Sequence, residues 1–248
     1  MMNPPFYKKL TMLNKKLHAD WYVEPSDDLS FAAQSNSIFL LAAEFASAAR
    51  EYPIIFVKSR DSVLSVVLVG LRENENLFMR KTENGKATWD AAYVPAYVRR
   101  YPFIPATAQE GKSELAVCFD KEFPGFNTEG RGERLFSADG TPGPALKKSL
   151  DFLQEFYDQQ QKTMEFCNEL ARLDLLEPMK YNLRLKSGEK ITLSGLLVVD
   201  RKKFAALEAN QVNKLFRNGG LELIYAHLFS MDNMKRLARR LAGLVQPG

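Results

Sequence analysis

"MKYNLRLKSGEKITLSGLLVVD" runs from Met179 to Asp200. Leu183 and Leu185 alternate with Arg184 and Lys186, the period of two that puts successive side chains on opposite faces of a strand. Ser187-Gly188 supplies the turn. The stretch therefore reads as a β-hairpin, and a hairpin makes antiparallel pairs without any helical crossover.

On the N-terminal side of this hairpin, a helix is predicted from Ala145 to about Leu173. Leu146, Leu150, Leu153, Tyr157, Met164, Cys167 and Ala171 keep a three-to-four spacing, and Phe152, Phe156, Phe166, Leu170 and Leu173 cover a second side. Its length would be about 40 Å. Two apolar sides predict that it crosses the core or a subunit interface, which makes a homo-oligomer through this helix an open expectation. On the C-terminal side, short helices are predicted at about 201–208, 211–217, 220–229 and 231–243. Gly219 and Gly220 break the middle pair, and Ser230 is placed as an N-cap.

Further upstream, "IIFVK" (54–58) and "LSVVLVGL" (64–71) are β-branched strands. "NLFM" (76–79) is read as continuing their sheet, and "ELAVCFD" (114–120) as another strand. "IFLLAAEFASAARE" (38–51) reads as a helix with Leu41, Phe45, Ala48 and Ala49 on one face, ended by Tyr52-Pro53. Residues 121–144 are read as loop. Strands grouped as hairpins rather than in βαβ alternation define an α+β fold. Its antiparallel or mixed sheet, from 54–80, 114–120 and 181–199, is packed by the long helix, and a C-terminal cluster of short helices follows. The expected organisation is one domain over 1–248, with a subdivision point near 144–178.

Composition narrows the function classes. The chain has 248 residues, 46% hydrophobic and 26% charged, with a formal net charge of +4. That is an ordinary globular composition, and the charge favours no nucleic-acid partner. Cys118 and Cys167 sit in apolar surroundings with no CxxC, as free thiols of a reducing compartment do, so a cytoplasmic location is expected. No Sec-type leader and no membrane-spanning run is read.

Chemical signatures are sparse. Walker A, GxGxxG, GxSxG and HExxH patterns are missing, and no cofactor or metal is assigned. "HAD" (18–20) is an HxD triplet for which His227 could supply a third ligand of a two-histidine, one-carboxylate site; the alternatives are a solvent-exposed or core histidine at His18 and a satisfied interhelical histidine at His227. Glu44 lies in a small-residue helix without a nearby charge, so it faces solvent or finds a cation. Lys235, Arg236, Arg239 and Arg240 form a basic helix end, expected to be exposed over buried Leu237 and Leu241. A helix macrodipole accounts for them, and a nucleic-acid face is the other reading.

"WDAAYVPAYVRRYPFIP" (89–105) is the most distinctive segment. Prolines 95, 102 and 105 restrict it, and Arg99 and Arg100 bring charge among aromatic rings. An extended, buried wall is predicted over 93–105. Its adjacent arginines then point to opposite faces, the inward one reaching a carboxylate, with Glu44 as first candidate. The outward one could hold an anionic ligand group.

"EYPIIF" (51–56), "NLFM" (76–79), Trp89, "YVPAYVRRYPF" (93–103), "LFSADGTP" (135–142), "LSGLLVVD" (193–200), "FAALEANQVNKL" (204–215) and "YAHLFSM" (225–231) occur in this order, and together they resemble the SapC-like family of bacterial proteins over nearly the whole chain. The resemblance implies an association with surface-layer arrays, or a place beside outer-membrane uptake receptors and flavin-dependent halogenase-like or oxygenase-like enzymes. It carries over no catalytic residue. His18, Glu44, Trp89, Tyr97, Arg99, Arg100, Tyr101, Pro102 and His227 match the family's motifs. Three functions are open on this reading. One is a non-catalytic accessory or binding protein for a protein partner or small anionic ligand, with Glu44, Trp89, Tyr97, Arg99, Arg100, Tyr101 and His227 as binding residues. The second is an enzyme of unfamiliar type, metal-dependent or not, using Glu44, Arg99, Arg100 and His227. The third is nucleic-acid binding by the basic terminal helix.

Overall fold

The structure is a computed structural model that describes residues 4–60, 62–106, 116–185 and 187–243. Among these, β1 (Leu10–Met12) and β2 (Tyr22–Val23) come first. β3 (Ser37–Phe39) leads through a 3-10 turn at Ala42–Glu44 into the single helical turn α1 (Phe45–Ala48), and β4 (Ile54–Ser59) and β5 (Ser62–Leu68) form a hairpin. A ribbon of β6 (Met79–Lys81) and β7 (Ala87–Trp89) precedes the helical turn α2 (Ala96–Arg99), β8 (Phe103–Pro105) and β9 (Val117–Asp120). β10 (Phe126–Asn127) and β11 (Glu133–Arg134) lead to the long helix α3 (Pro144–Arg172). β12 (Leu176–Arg184) and β13 (Lys190–Val199) make the second long hairpin, and α4 (Arg201–Ala205), α5 (Ala209–Arg217), α6 (Gly220–Ser230) and α7 (Asn233–Leu241) follow.

The fold is α+β with antiparallel sheets. The main sheet has the order β12-β13-β4-β5-β3 and joins the two hairpins. They meet over a short register, Leu196 opposite Val57 and Leu197 opposite Phe56. Ile54, Ile55 and Phe56 are all buried, so both faces of the sheet are covered there. Two small sheets, β1-β9-β8 and β10-β2-β11, surround a second core of Phe103, Phe119, Leu135, Leu146 and Leu153.

Helix α3 starts with proline in its first turn, where the missing N–H costs nothing. It buries one seam, Leu146, Leu153, Phe156, Thr163, Phe166, Cys167 and Leu170, rather than the two sides expected. Leu150, Phe152, Tyr157 and Met164 are half-buried and Ala171 is exposed. Along this seam α3 passes from the second core, through the small cluster of Leu41, Ala96 and Phe156, to the main core at Phe166, Cys167 and Leu170.

Four local expectations are corrected. Residues 38–51 are not one helix: Ile38 pairs with Val67, and a sheet edge captures the first turn against its helix propensity. The apolar face survives, with Leu41, Phe45 and Ala48 buried. Residues 76–79 leave the main sheet, because the Asn76 side chain bonds Ala32 O and Phe78 N, and among the described residues β6 pairs only with β7. The 121–144 loop contains two short strands, both paired to β2. Ser230 ends α6 instead of capping α7; its hydroxyl donates to His227 O and accepts from Ile54 N.

The wall over 93–105 is largely buried but is not extended. It bends into the helical turn α2 and resumes as β8 after a cis Tyr101-Pro102 bond.

Candidate functional site

Glu44 organises the region around α2. Leu41 is extended, the chain then turns through Ala42–Glu44, and the Glu44 side chain folds back so that Oε2 accepts from Leu41 N at 3.0 Å. The other oxygen, Oε1, accepts from Ala96 N at 2.7 Å and from the Tyr93 hydroxyl at 2.6 Å. One buried carboxylate thus caps two turns at once, where unpaired N–H groups and partial positive charge favour an anion. Burial, and then Glu44 itself, raise the Tyr93 hydroxyl above its ordinary range.

Arg99 lies at the end of α2. Its Nη2 is 4.0 Å from Glu44 Oε1, and its Nε donates to Val94 O at 3.0 Å. The guanidinium sits 5.3 Å from the Phe152 ring centre and 6.0 Å from that of Tyr93, and the side chain stays 48% exposed. Arg99, Glu44, Tyr93, Phe152, Glu155 and Gln159 line a cleft of about 330 Å³ beside α3. Ala43 and Gln159 also line a larger groove of about 540 Å³ toward α5 and α6.

Arg100 turns inward and is 7% exposed. Among the described residues no carboxylate pairs with it, and its Nε has no hydrogen-bond partner. Its charge lies over aromatic faces instead, 3.8 Å from the Tyr97 centroid and 4.7 Å from that of Phe156. Burial raises the Tyr7 and Tyr97 hydroxyls, and the Arg100 cation opposes that rise at both. The expected pairing is therefore reversed: Glu44 belongs to the outward arginine and the inward one rests on rings. A helical turn, which separates neighbours by about 100° rather than a strand's 180°, accounts for the change.

The other candidates lie outside this cleft. Tyr101 stacks on Phe31 at 4.0 Å and donates to Asp120 Oδ2 at 3.1 Å. Asp120 is fully buried and also accepts from Lys8, Lys9 and Glu122 N–H. Burial alone would raise its carboxyl, but these donors outweigh that and hold it below the usual range. Trp89 stacks on Phe78 and donates to the Tyr52 hydroxyl at 2.7 Å. Tyr97 faces Arg100 and Phe156.

His18 Nδ1 accepts from Asn14 N, and its ring packs edge-on to Trp21 and Phe119. His227 is fully buried at the main sheet, where Nδ1 is 2.8 Å from Ile54 O and Nε2 accepts from Val199 N. These partners assign the proton to Nδ1. Burial pushes its pKa down to about 4. Asp20 is paired with Arg134 at the surface. The two histidines lie against different cores, and the described residues contain no cluster of three or more His, Cys, Asp or Glu able to hold a metal. His18, Asp20 and His227 do not assemble the site read from the HxD triplet.

The basic terminal helix is also corrected. Lys235 and Arg239 are exposed, but Arg236 pairs with Glu51, and Arg240 is only 10% exposed, bound to Asp90 and the Leu77 carbonyl over the Phe78 ring. Leu237 is buried and Leu241 half-buried.

Sequence reasoning missed Tyr93, Phe152 and Gln159 as cleft residues and Asp120 as an organising carboxylate. Tyr93 lay within the segment singled out, but the α3 residues come close only through tertiary packing.

The fold and site define an α+β protein with an arginine-bearing cleft beside a long helix, free of any recognised catalytic constellation among the described residues. The chain belongs to the SapC family, whose model matches residues 13–237. No curated protein and no solved structure matches it.

Proposed function

We propose that this SapC-family protein is a non-catalytic accessory or binding protein, and that its cleft at Arg99 holds a small anionic group of a ligand or protein partner. The observation that carries the reading is the state of Arg99. Its Nε donates to Val94 O and its Nη2 stands 4.0 Å from Glu44 Oε1, a carboxylate already committed to three other donors, while the side chain stays 48% exposed to the cleft. A guanidinium fork with donors to spare suits a planar carboxylate or a phosphate. The Tyr93 and Phe152 rings beside it suit an apolar body attached to that group. The groups able to move protons are spent on structure, His227 through both ring nitrogens and Glu44 through both oxygens.

A cytoplasmic location and a role beside surface-layer or outer-membrane uptake systems are part of the same proposal. The two free thiols, Cys118 and Cys167, support the location, and the resemblance that goes with family membership supports the role. Thermal-shift titration with benzoate and inorganic phosphate, with choline as a cationic control, tests the cleft. The expected result is a rise in Tm of the wild type with the anions alone, lost in Arg99→Ala. Equal shifts in both proteins would remove Arg99 from the site.

A further inference from the structure

We infer that the C-terminal helices form a docking surface for an anionic lipid membrane, a contact separate from the arginine cleft. Between Arg201 and Gly219 only Leu215 is buried. On α5, Phe216 is 72% exposed and Val212 38%; on the adjoining α6, Phe229 is 71% exposed and Tyr225 48%. Val212 and Phe216 on α5, and Tyr225 and Phe229 on α6, are i, i+4 pairs, so each helix presents an apolar stripe. Tyr225 continues its stripe into Phe229, 6.2 Å away and stacked, and touches Phe204 of α4 at 5.6 Å. The contiguous Phe204, Tyr225 and Phe229 rings, with the exposed stripe of the adjoining α5, mark a contact surface rather than ordinary solvent-facing residues.

Charge chooses the partner. Residues 201–243 carry nine Lys or Arg against three Asp or Glu, while the rest of the chain carries twenty-five against twenty-seven. Arg201, Lys202, Arg217, Lys235 and Arg239 are exposed and, among the described residues, have no carboxylate within ion-pair distance. A second copy docked through the same face would oppose two such cationic clusters. Phe216 and Phe229 are both more than 70% exposed, so these rings protrude into solvent. A lipid interface receives protruding aromatic rings without a preformed pocket, and its anionic headgroups match the exposed cations of α4, α5 and α7. No helix among the described residues is long and apolar enough to cross a membrane, so the contact is peripheral.

Vesicle co-sedimentation of the full chain tests this. The probes are vesicles of phosphatidylglycerol with phosphatidylcholine in equal parts, and vesicles of phosphatidylcholine alone. Expected is binding to the first and not the second, weakened by salt. Phe216→Ser with Phe229→Ser should lower the partition roughly tenfold or more. Charge removal at Lys202 and at Arg217 should cost about fivefold each. Phe216→Trp should bind at least as well as wild type and shift its emission to the blue on the anionic vesicles. No binding to anionic vesicles at low salt would overturn the inference. So would vesicle binding indifferent to the phenylalanines and abolished by soluble polyglutamate, which would assign the face to an acidic protein. A concentration-dependent dimer lost in the phenylalanine variant would assign it to a second copy. This readout does not involve the benzoate and phosphate titration, so either proposal can fail alone.

Discussion

Residues 93–105 and 201–219 break the usual distribution of residues in opposite directions. The first segment takes charge inside, with Arg100 at 7% exposure among rings and Glu44 drawn in to cap its helical turn. The second puts rings outside, with Phe216 at 72% exposure and Leu215 as its one buried residue. The two irregularities differ in what sustains them. Every departure in 93–105 has a tertiary partner: Ala96 N and Tyr93 on Glu44, Arg100 on Tyr97 and Phe156, Tyr101 on Asp120. Helices α4 and α5 rely on local devices. Asp200 caps α4 through Lys202 and Lys203 N–H, and Glu208 opens α5 with a capping box closed by Gln211. Disturbing the first segment should therefore register as lost stability, and disturbing the second as lost contact.

Glu44→Ala should give the largest effect. It leaves the buried Leu41 N and Ala96 N and the partly buried Tyr93 hydroxyl without their acceptor. Buried donors left unpaired cost about 1–3 kcal/mol each, which gives a total of about 3–5 kcal/mol once partial relaxation is allowed. Urea unfolding measures it. Glu44→Gln should fall between, since its amide keeps one acceptor oxygen and turns an NH₂ group toward a donor. A loss under about 1 kcal/mol in Glu44→Ala would show that the turns need no shared cap and would end the contrast between the segments.

Acid should act next. His227 stays neutral in the fold down to about pH 4 because burial disfavours its charged form. In the unfolded chain it takes its proton near pH 6.5. Between these values the unfolded state binds more protons, so its stabilising contribution is fully present above about pH 6.5 and is lost as pH falls toward 4. The loss amounts to about 3 kcal/mol over that window. His18, also lowered by burial, acts in the same direction. Urea midpoints at about pH 7 and about pH 4 should thus differ strongly in the wild type. They should differ less in His227→Gln, whose amide can still serve Ile54 O and Val199 N. An unchanged slope in that variant would move the acid sensitivity elsewhere.

The hairpins, the long helix and the C-terminal helices were legible because each rests on a local signal: a period of two, a period near 3.6, or a glycine break. The failures lie where tertiary contacts chose between local options. Ile38 and Phe39 belong to an apolar run that suits a helix, yet they pair with Val67 and Val66 at a sheet edge. Pro95 suggested an extended wall, but a carboxylate fifty-two positions away supplied the cap for a helical turn. In the cleft, Glu44 and Arg99 were legible as an unusual acid and an unusual cation. Phe152 and Gln159 were not, since their role depends on which side of α3 faces α2. The outward rings of α5 and α6 escaped notice because a helical stripe has the same sequence pattern whether it meets a core or nothing.

The smallest expected effect is on stability in the exposed segment itself. Phe216→Ser removes a ring that is 72% exposed and on which no described ring packs within stacking range. Little apolar surface returns to water, because most of it is in water already. Serine and phenylalanine have nearly equal helix propensity, and nothing in the core fills or empties. The urea midpoint should therefore stay within about 0.5 kcal/mol of wild type. Leu215→Ser is the matched control one position away. It removes the single buried anchor of α5 and should cost about 2–4 kcal/mol or release the helix from the body. If the two variants unfold alike, the exposure of Phe216 does not describe the protein in solution, and the ring is buried there against something that covers α5. If only Leu215→Ser is destabilised, α5 is held from beneath by one leucine, and its outer face is free to meet a partner.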